Sequence, residues 1–247
     1  MTQPHNTHTH THRIELTDAT VREWDATVLH ADRELGIVLD RSAFYPGGGG
    51  QPPDAGVLLW GGIQTRIVGA RLHTDDVQLI PHDSDPLPPV GTPVRGALDD
   101  VRRSTLMRTH SAMHVLSAVV FRDFAAKVTG SSMDPGLGRM DFNLAALPDG
   151  FRSAVEDACN AAIQADHRVE VRFLPIGEIG SLVELSRAEE VRLPEGLSQV
   201  RIVDLVGLDT QADGGTHVAS TRQIGAMRVV KLENKGKGFR RVRFALS

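Results

Sequence analysis

The sequence predicts an α+β fold: a small N-terminal β-barrel, then a domain whose helices pack on a mostly antiparallel sheet. Three observations predict it. Short apolar runs punctuated by glycine fill residues 13–83, a stripe of helical period begins at Ser104, and strict alternation returns at residues 168–173.

The elements follow in order. Residues 1–12 are a polar tail with His8, His10 and His12, too poor in apolar side chains to join a core and expected to be disordered. Residues 21–29, 36–40, 56–59 and 63–68 read as short strands, and Trp60-Gly61-Gly62-Ile63 as a hairpin turn. Strands at this spacing suggest a small barrel. Residues 86–93, with Pro86, Pro88, Pro89 and Pro93, read as a linker and a domain boundary. The expected domains are 13–98, carrying a glycine-rich loop, and 99–247.

In the second half, residues 104–125 form a helix with Leu106, His110, Met113, His114, Ser117 and Phe121 on one side. Phe151, Ala154, Val155, Ala158 and Ala162 mark a second amphipathic helix. Residues 168–173 place Val169, Val171 and Phe173 on one strand face. Residues 200–206 and 227–232 are further strands.

Composition narrows the function classes. Hydrophobic residues at 40% and charged residues at 23% are ordinary for a soluble protein. No stretch is long enough to span a membrane, and the N-terminus has no apolar signal core, so a cytoplasmic location and no membrane partner are expected. Cys159 is the only cysteine, which excludes an intrachain disulfide. It lies near the apolar side of its helix and reads as a small buried residue. The net charge of −4 argues against a broad nucleic-acid surface. Its distribution is uneven: Lys231, Lys235, Lys237, Arg240, Arg241 and Arg243 face Glu233 alone in the last strand region. That stripe either holds a phosphate backbone or is a solvated strand face.

The most distinctive residues are two spaced pairs. His110 and His114 share one helix face, and Asp213 and His217 repeat the spacing around Gly214-Gly215. Three imidazoles and a carboxylate are a donor set for one divalent cation, with zinc the first expectation, so the pattern points to a metal-dependent hydrolase. No serine or cysteine triad can be assembled, and no general base is identified. Residues 43–56 form a second distinctive segment, in which Gly47-Gly48-Gly49-Gly50 permits close backbone approach and Tyr45, Gln51 and Asp54 flank it. No Lys-Ser/Thr follows, so it is not a phosphate-binding P-loop. Residues 130–142 read either as a hairpin or as a polar ligand-facing segment.

Together the segments Phe44–Gly56, Met107–Leu116, Gly214–Val218 and Glu233–Gly238 resemble, in order, the stand-alone alanyl-tRNA editing proteins of the AlaX family. The resemblance is to the longer members, in which a barrel precedes the editing domain. It implies hydrolysis of seryl- or glycyl-tRNA for alanine, with mischarged tRNA as partner. It also implies a zinc site at His110, His114 and His217, with Asp213 where the family usually has cysteine. Asp213 is then either a ligand or a residue that orients a histidine or water. Gly48, Gly49, Gly50, Gln51, Asp54, Gly214, Gly215 and Thr216 are expected around the substrate, and Lys235, Lys237, Arg240 and Arg241 against tRNA phosphates. A hydrolase of small esters or amides, and a non-catalytic RNA-binding protein with a structural metal, are the alternatives.

Overall fold

Alternating apolar side chains curl residues 23–98 into a closed barrel. The computed structural model describes residues 10–178 and 198–247. Its strands up to Leu98 are β1 (His12–Arg13), β2 (Glu23–Asp32), β3 (Gly36–Leu39), β4 (Arg41–Ser42), β5 (Gly56–Trp60), β6 (Ile63–His73), β7 (Asp76–Pro81) and β8 (Pro93–Leu98). The barrel order is β2-β3-β7-β6-β5-β8, every pair antiparallel. Inward side chains alternate along each strand, so Trp24, Ala26 and Val28 of β2 meet Ile37, Leu39, Leu58, Ile67, Val77, Leu79 and Val94. Phe44 packs edge-on against Trp24, ring centroids 5.3 Å apart. Trp60 pairs with Ile63 across Gly61 and Gly62, both at positive φ, the geometry a tight right-twisted hairpin needs.

Two expectations change here. The tail expectation for residues 1–9 lies outside the described residues, but Thr11 and His12 are held by the barrel. Thr11 Oγ1 donates to Leu39 O at 2.9 Å, and His12 pairs with Arg41. Residues 86–93 are no domain boundary. They lead from β7 into β8 inside the barrel unit, with Pro86 O accepting from Thr65 Oγ1 at 2.6 Å, and β8 closes the barrel against β2 and β5. Proline-rich composition marks an irregular path, not a free one.

Two compact units divide the chain: residues 1–47 with 53–100, and residues 48–52 with 101–247. The second contains α1 (Asp100–Phe124, its first residue aside), β9 (Val128–Asp134), β10 (Leu137–Phe142), α2 (Phe151–Gln164), β11 (Val169–Pro175), β12 (Gln199–Leu205), β13 (Asp209–Ala212), β14 (Met227–Asn234) and β15 (Arg240–Leu246). These strands form two antiparallel sheets, β14-β15-β10-β9 and β11-β12-β13.

Helix α1 is not one-sided. Every residue from 109 to 120 is buried, while Phe121 is only half-buried. Buried hydroxyls on it are hydrogen-bonded within the helix: Thr109 Oγ1 donates to Thr105 O, and Ser117 Oγ to His114 O. Helix α2 buries Phe151, Val155, Cys159 and Ile163, while Ala154 faces solvent. Burial pushes the Cys159 thiol well up, as suits an inert core side chain. Helix α2 docks on strand β14: Asn160 bonds both backbone groups of Met227, and Glu156 accepts from Val229 N at 2.8 Å.

Strand β11 forms where alternation placed it, but that face is not a core face. Val171 and Phe173 are 38% and 40% exposed. β11 is an edge strand of its sheet, and burial instead falls on both faces of central β12, at Val200, Ile202, Val203 and Leu205. No helix among the described residues is long and apolar enough to cross a membrane.

Candidate metal centre

Helix α1 places His110 and His114 one turn apart. The loop after β13 brings Asp213 and His217 to the same point. One ligand atom from each of the four lies within 4.8 Å of the others. The ring centroids of His110 and His217 are 4.5 Å apart, and those of His114 and His217 are 4.6 Å apart.

The imidazoles are held from behind. Gln51 Oε1 accepts from His110 Nδ1 at 2.9 Å, which leaves His110 Nε2 with its lone pair, 3.5 Å from Asp213 Oδ1. Gln51 is fixed in turn by Thr216, whose backbone N–H donates to Oε1 and whose hydroxyl accepts from Nε2. Ser111 Oγ bonds His217 Nδ1 at 3.1 Å and accepts from Val218 N–H. Among the described residues, His114 Nδ1 is buried without a hydrogen-bond partner, 3.8 Å from the Asp209 carboxylate. Asp213 Oδ2 accepts from Gly215 N–H at 2.6 Å and from His217 Nε2 at 3.0 Å. Partners behind ligating histidines are what fix a ring's tautomer and direction in a metal site.

Electrostatics favour neutral rings at His110 and His217 beside one carboxylate. Burial holds His110 at about 4, against an ordinary 6.5, with Asp213 opposing the shift. Burial also pulls His217 well down, with His110 adding to it. Burial would raise Asp213, but the neighbouring His110 and the His217 hydrogen bond hold it well below the usual carboxylate range. Neutral imidazoles and an ionised carboxylate are the protonation states a cation needs. The residues present therefore fit a divalent cation.

A stability test follows. The folded His110 value lies below the unfolded one, so folding favours the neutral ring. That contribution is complete above about pH 6.5 and is lost as pH falls toward 4. Thermal melts of metal-free protein should drop across this window. A flat profile between pH 6.5 and pH 4 would contradict the assignment.

His110, His114 and Asp213 line a cavity of about 130 Å³, together with Gly49, Met113, Ser117, Val128, Ser131, Met140 and Gln211. Gly49 reaches it through backbone shape. Gly47, Gly48, Gly49 and Gly50 all have positive φ, and Gly48 and Gln51 exchange backbone hydrogen bonds at 3.0 and 2.9 Å. Gly50 O accepts from Met133 N.

The residues expected around substrate therefore separate. Gly49 lines the cavity. Gly48 and Gly50 shape the turn. Gln51 and Thr216 are 2% and 0% exposed and bonded to each other behind His110. Gly215 is buried against the His110 ring, and Gly214 is not among the lining residues. Asp54 is buried in the barrel unit, where its carboxylate accepts from Tyr45 N at 2.7 Å. Of the basic residues, Lys235 and Lys237 are exposed at the β14–β15 turn. Arg240 bonds back to Asn234 and to the carbonyls of Gly236, Phe239 and Ala145. Arg241 makes a bidentate pair with Asp141 at 2.6 and 2.8 Å. The segment 130–142 is both the β9–β10 hairpin and ligand-facing, since its Ser131 and Met140 line the cavity; sequence reasoning overlooked Gln211 as a cavity residue and Ser111 as the partner of His217. Ser117 carried a readable signal: it follows His110 by seven positions, on the same helix face.

Residues 200–243 match the family model described as the threonyl and alanyl tRNA synthetase second additional domain. The alanyl-tRNA editing protein AlaX-M of Saccharolobus solfataricus is 33% identical, covering 96% of this chain and 99% of its own length. The protein of the same name from Methanosarcina acetivorans is 32% identical over 93% and 96%. An alanine–tRNA ligase of Pyrobaculum neutrophilum is 32% identical over 96% of this chain, which corresponds to 27% of the ligase. With these relatives matched along nearly its whole length, the chain belongs to the AlaX-M family of alanyl-tRNA editing proteins.

Proposed function

We propose that this protein is a trans-acting deacylase that removes serine or glycine from mischarged tRNA for alanine in the cytoplasm, without ATP. The observation that carries the reading is the convergence of His110, His114, Asp213 and His217 at a small cavity with polar walls. These four would hold zinc. When bound, zinc would supply a Lewis acid for the ester carbonyl or a water activated near neutral pH. Asp213 is a harder donor than the cysteine usual in the family, so this chain should hold zinc less selectively.

The protein's own side chains do the rest. Gln51 and Ser111 aim His110 and His217. Ser117, Ser131 and Gln211 offer hydroxyl and amide groups to the amino acid. Met113, Val128 and Met140 leave no room for a large side chain. Apart from the four donors, no described cavity residue is ionisable. Proton transfer then falls to a hydroxyl of the terminal ribose. Lys235 and Lys237 would contact acceptor-stem phosphates, while Arg240 and Arg241 brace the strands that carry them.

The test is deacylation of tRNA for alanine charged with serine, glycine or alanine. Rapid hydrolysis of the seryl or glycyl ester, with the alanyl ester spared, is expected. Intact esters beside hydrolysis of a small ester would instead assign a small-molecule hydrolase.

A further inference from the structure

The outer face of the β9–β10–β15 sheet carries a second cavity, of about 240 Å³, lined by Ser132, Asp134, Leu137, Arg139, Val230 and Arg243 among others. Strand alternation separates it from the first. Met140 pairs with Ser131, and both line the metal-side cavity. Arg139 pairs with Ser132, and both line the second.

Two features of this cavity are unexplained by folding. Arg139 and Arg243 stand directly opposite each other on β10 and β15. Like charges in that relation destabilise a sheet. Arg243 is compensated by Glu233 at 2.7 Å, and the neighbouring Arg241 is compensated by Asp141. No side-chain hydrogen bond of Arg139 is found among the described residues, and its Nε is buried without one; the carboxylate that acts on it, Asp141, is already paired with Arg241. A buried, unmatched guanidinium N–H is costly, and a planar fork facing a second guanidinium is the arrangement that grips a tetrahedral oxyanion. Lys231, opposite Arg243 on β14, adds a third cation, which shares Glu233 with Arg243. Asp134, exposed among the lining residues, repels an anion, which must therefore seat against the arginines.

We infer that Arg139 and Arg243, with Ser132, form a phosphate site on the outer face of the sheet, and that its occupant is a backbone phosphodiester of tRNA. The identity of the occupant rests on the deacylase reading above. The site is distinct from the lysines of the β14–β15 turn. It places one charge contact on the reverse of the same hairpin whose inner face lines the first cavity.

The experiment measures binding of uncharged tRNA by fluorescence anisotropy across a salt series, for the parent, Arg139→Gln and Arg139→Lys. Arg139→Gln should weaken binding about tenfold and flatten the log–log salt slope by about 1. Arg139→Lys should recover part of the affinity. The melting temperature of Arg139→Gln should stay at or above the parent's, because the change removes a like-charge pair. Inorganic phosphate should compete with tRNA in the parent and much less in Arg139→Gln. Parental affinity and slope in Arg139→Gln would overturn the site. If inorganic phosphate binds at Arg139 while tRNA affinity is unaffected by the variant, the site is one for free phosphate and the tRNA assignment is wrong. Hydrolysis of seryl-tRNA by the parent, measured alongside, keeps the two readings apart: if it persists while the slope is unchanged, only this inference fails. If the parent neither binds nor hydrolyses tRNA, both fail.

Discussion

Replacing His114 with alanine is expected to lower seryl-tRNA hydrolysis about a thousandfold, equivalent to roughly 4 kcal/mol of lost transition-state stabilisation. His114 is the donor that α1 contributes one turn beyond His110, and its ring meets the other two histidine rings. Losing it leaves three donors, too few to fix a cation firmly and still orient an ester. The fold should survive. Truncating one buried side chain costs about 1–3 kcal/mol, within the margin of an ordinary domain. kcat/KM, melting temperature and bound zinc should be measured on one preparation. A stable His114→Ala protein with near-parental activity would remove the metal centre from the mechanism.

The second large effect belongs to a residue with no side chain. A Cβ at Gly215 would lie 2.2 Å from His110 Cε1, 2.3 Å from Nδ1 and 2.9 Å from Gln51 Oε1. No real contact is that short, so the His110 ring must turn and its bond to Gln51 must break. Gly215→Ala should therefore lower activity about a hundredfold or more, since a misplacement near 1 Å costs on that order. Gly214→Ala is the internal control. Nothing lies within 4 Å of a Cβ built there, so the variant should stay close to parental. Equal activity in both glycine variants would show that His110 is not held where the structure places it.

These residues differ in how far the sequence discloses them. The two donor pairs are legible because each is local: spacing of four on a helix, and four around a Gly-Gly turn, sets direction without tertiary knowledge. The barrel is legible for the same reason, through alternation and the Gly61-Gly62 hairpin. Gln51 is not. Its role depends on meeting His110 and Thr216, 59 and 165 positions away, and the sequence shows only a polar residue after four glycines. Composition misled at residues 86–93, because proline content does not reveal that Pro86 O has a donor waiting in Thr65. At β11 alternation separates two faces of a strand but does not say which neighbours cover them. Strand β13 is too short for any period to show, yet it delivers Gln211 and, just beyond it, Asp213. The basic residues near the C-terminus read as a uniform stripe, although Glu233 and Asp141 compensate Lys231, Arg243 and Arg241 across the sheet.

The central claim is that the four converged side chains work through a bound cation. The most direct measurement follows seryl-tRNA hydrolysis by one preparation before chelation, after removal of the chelated metal, and after return of one equivalent of zinc. Hydrolysis should disappear with the metal and return with it, while the melting temperature shows the metal-free chain still folded. Undiminished hydrolysis by folded, metal-free protein would contradict the account.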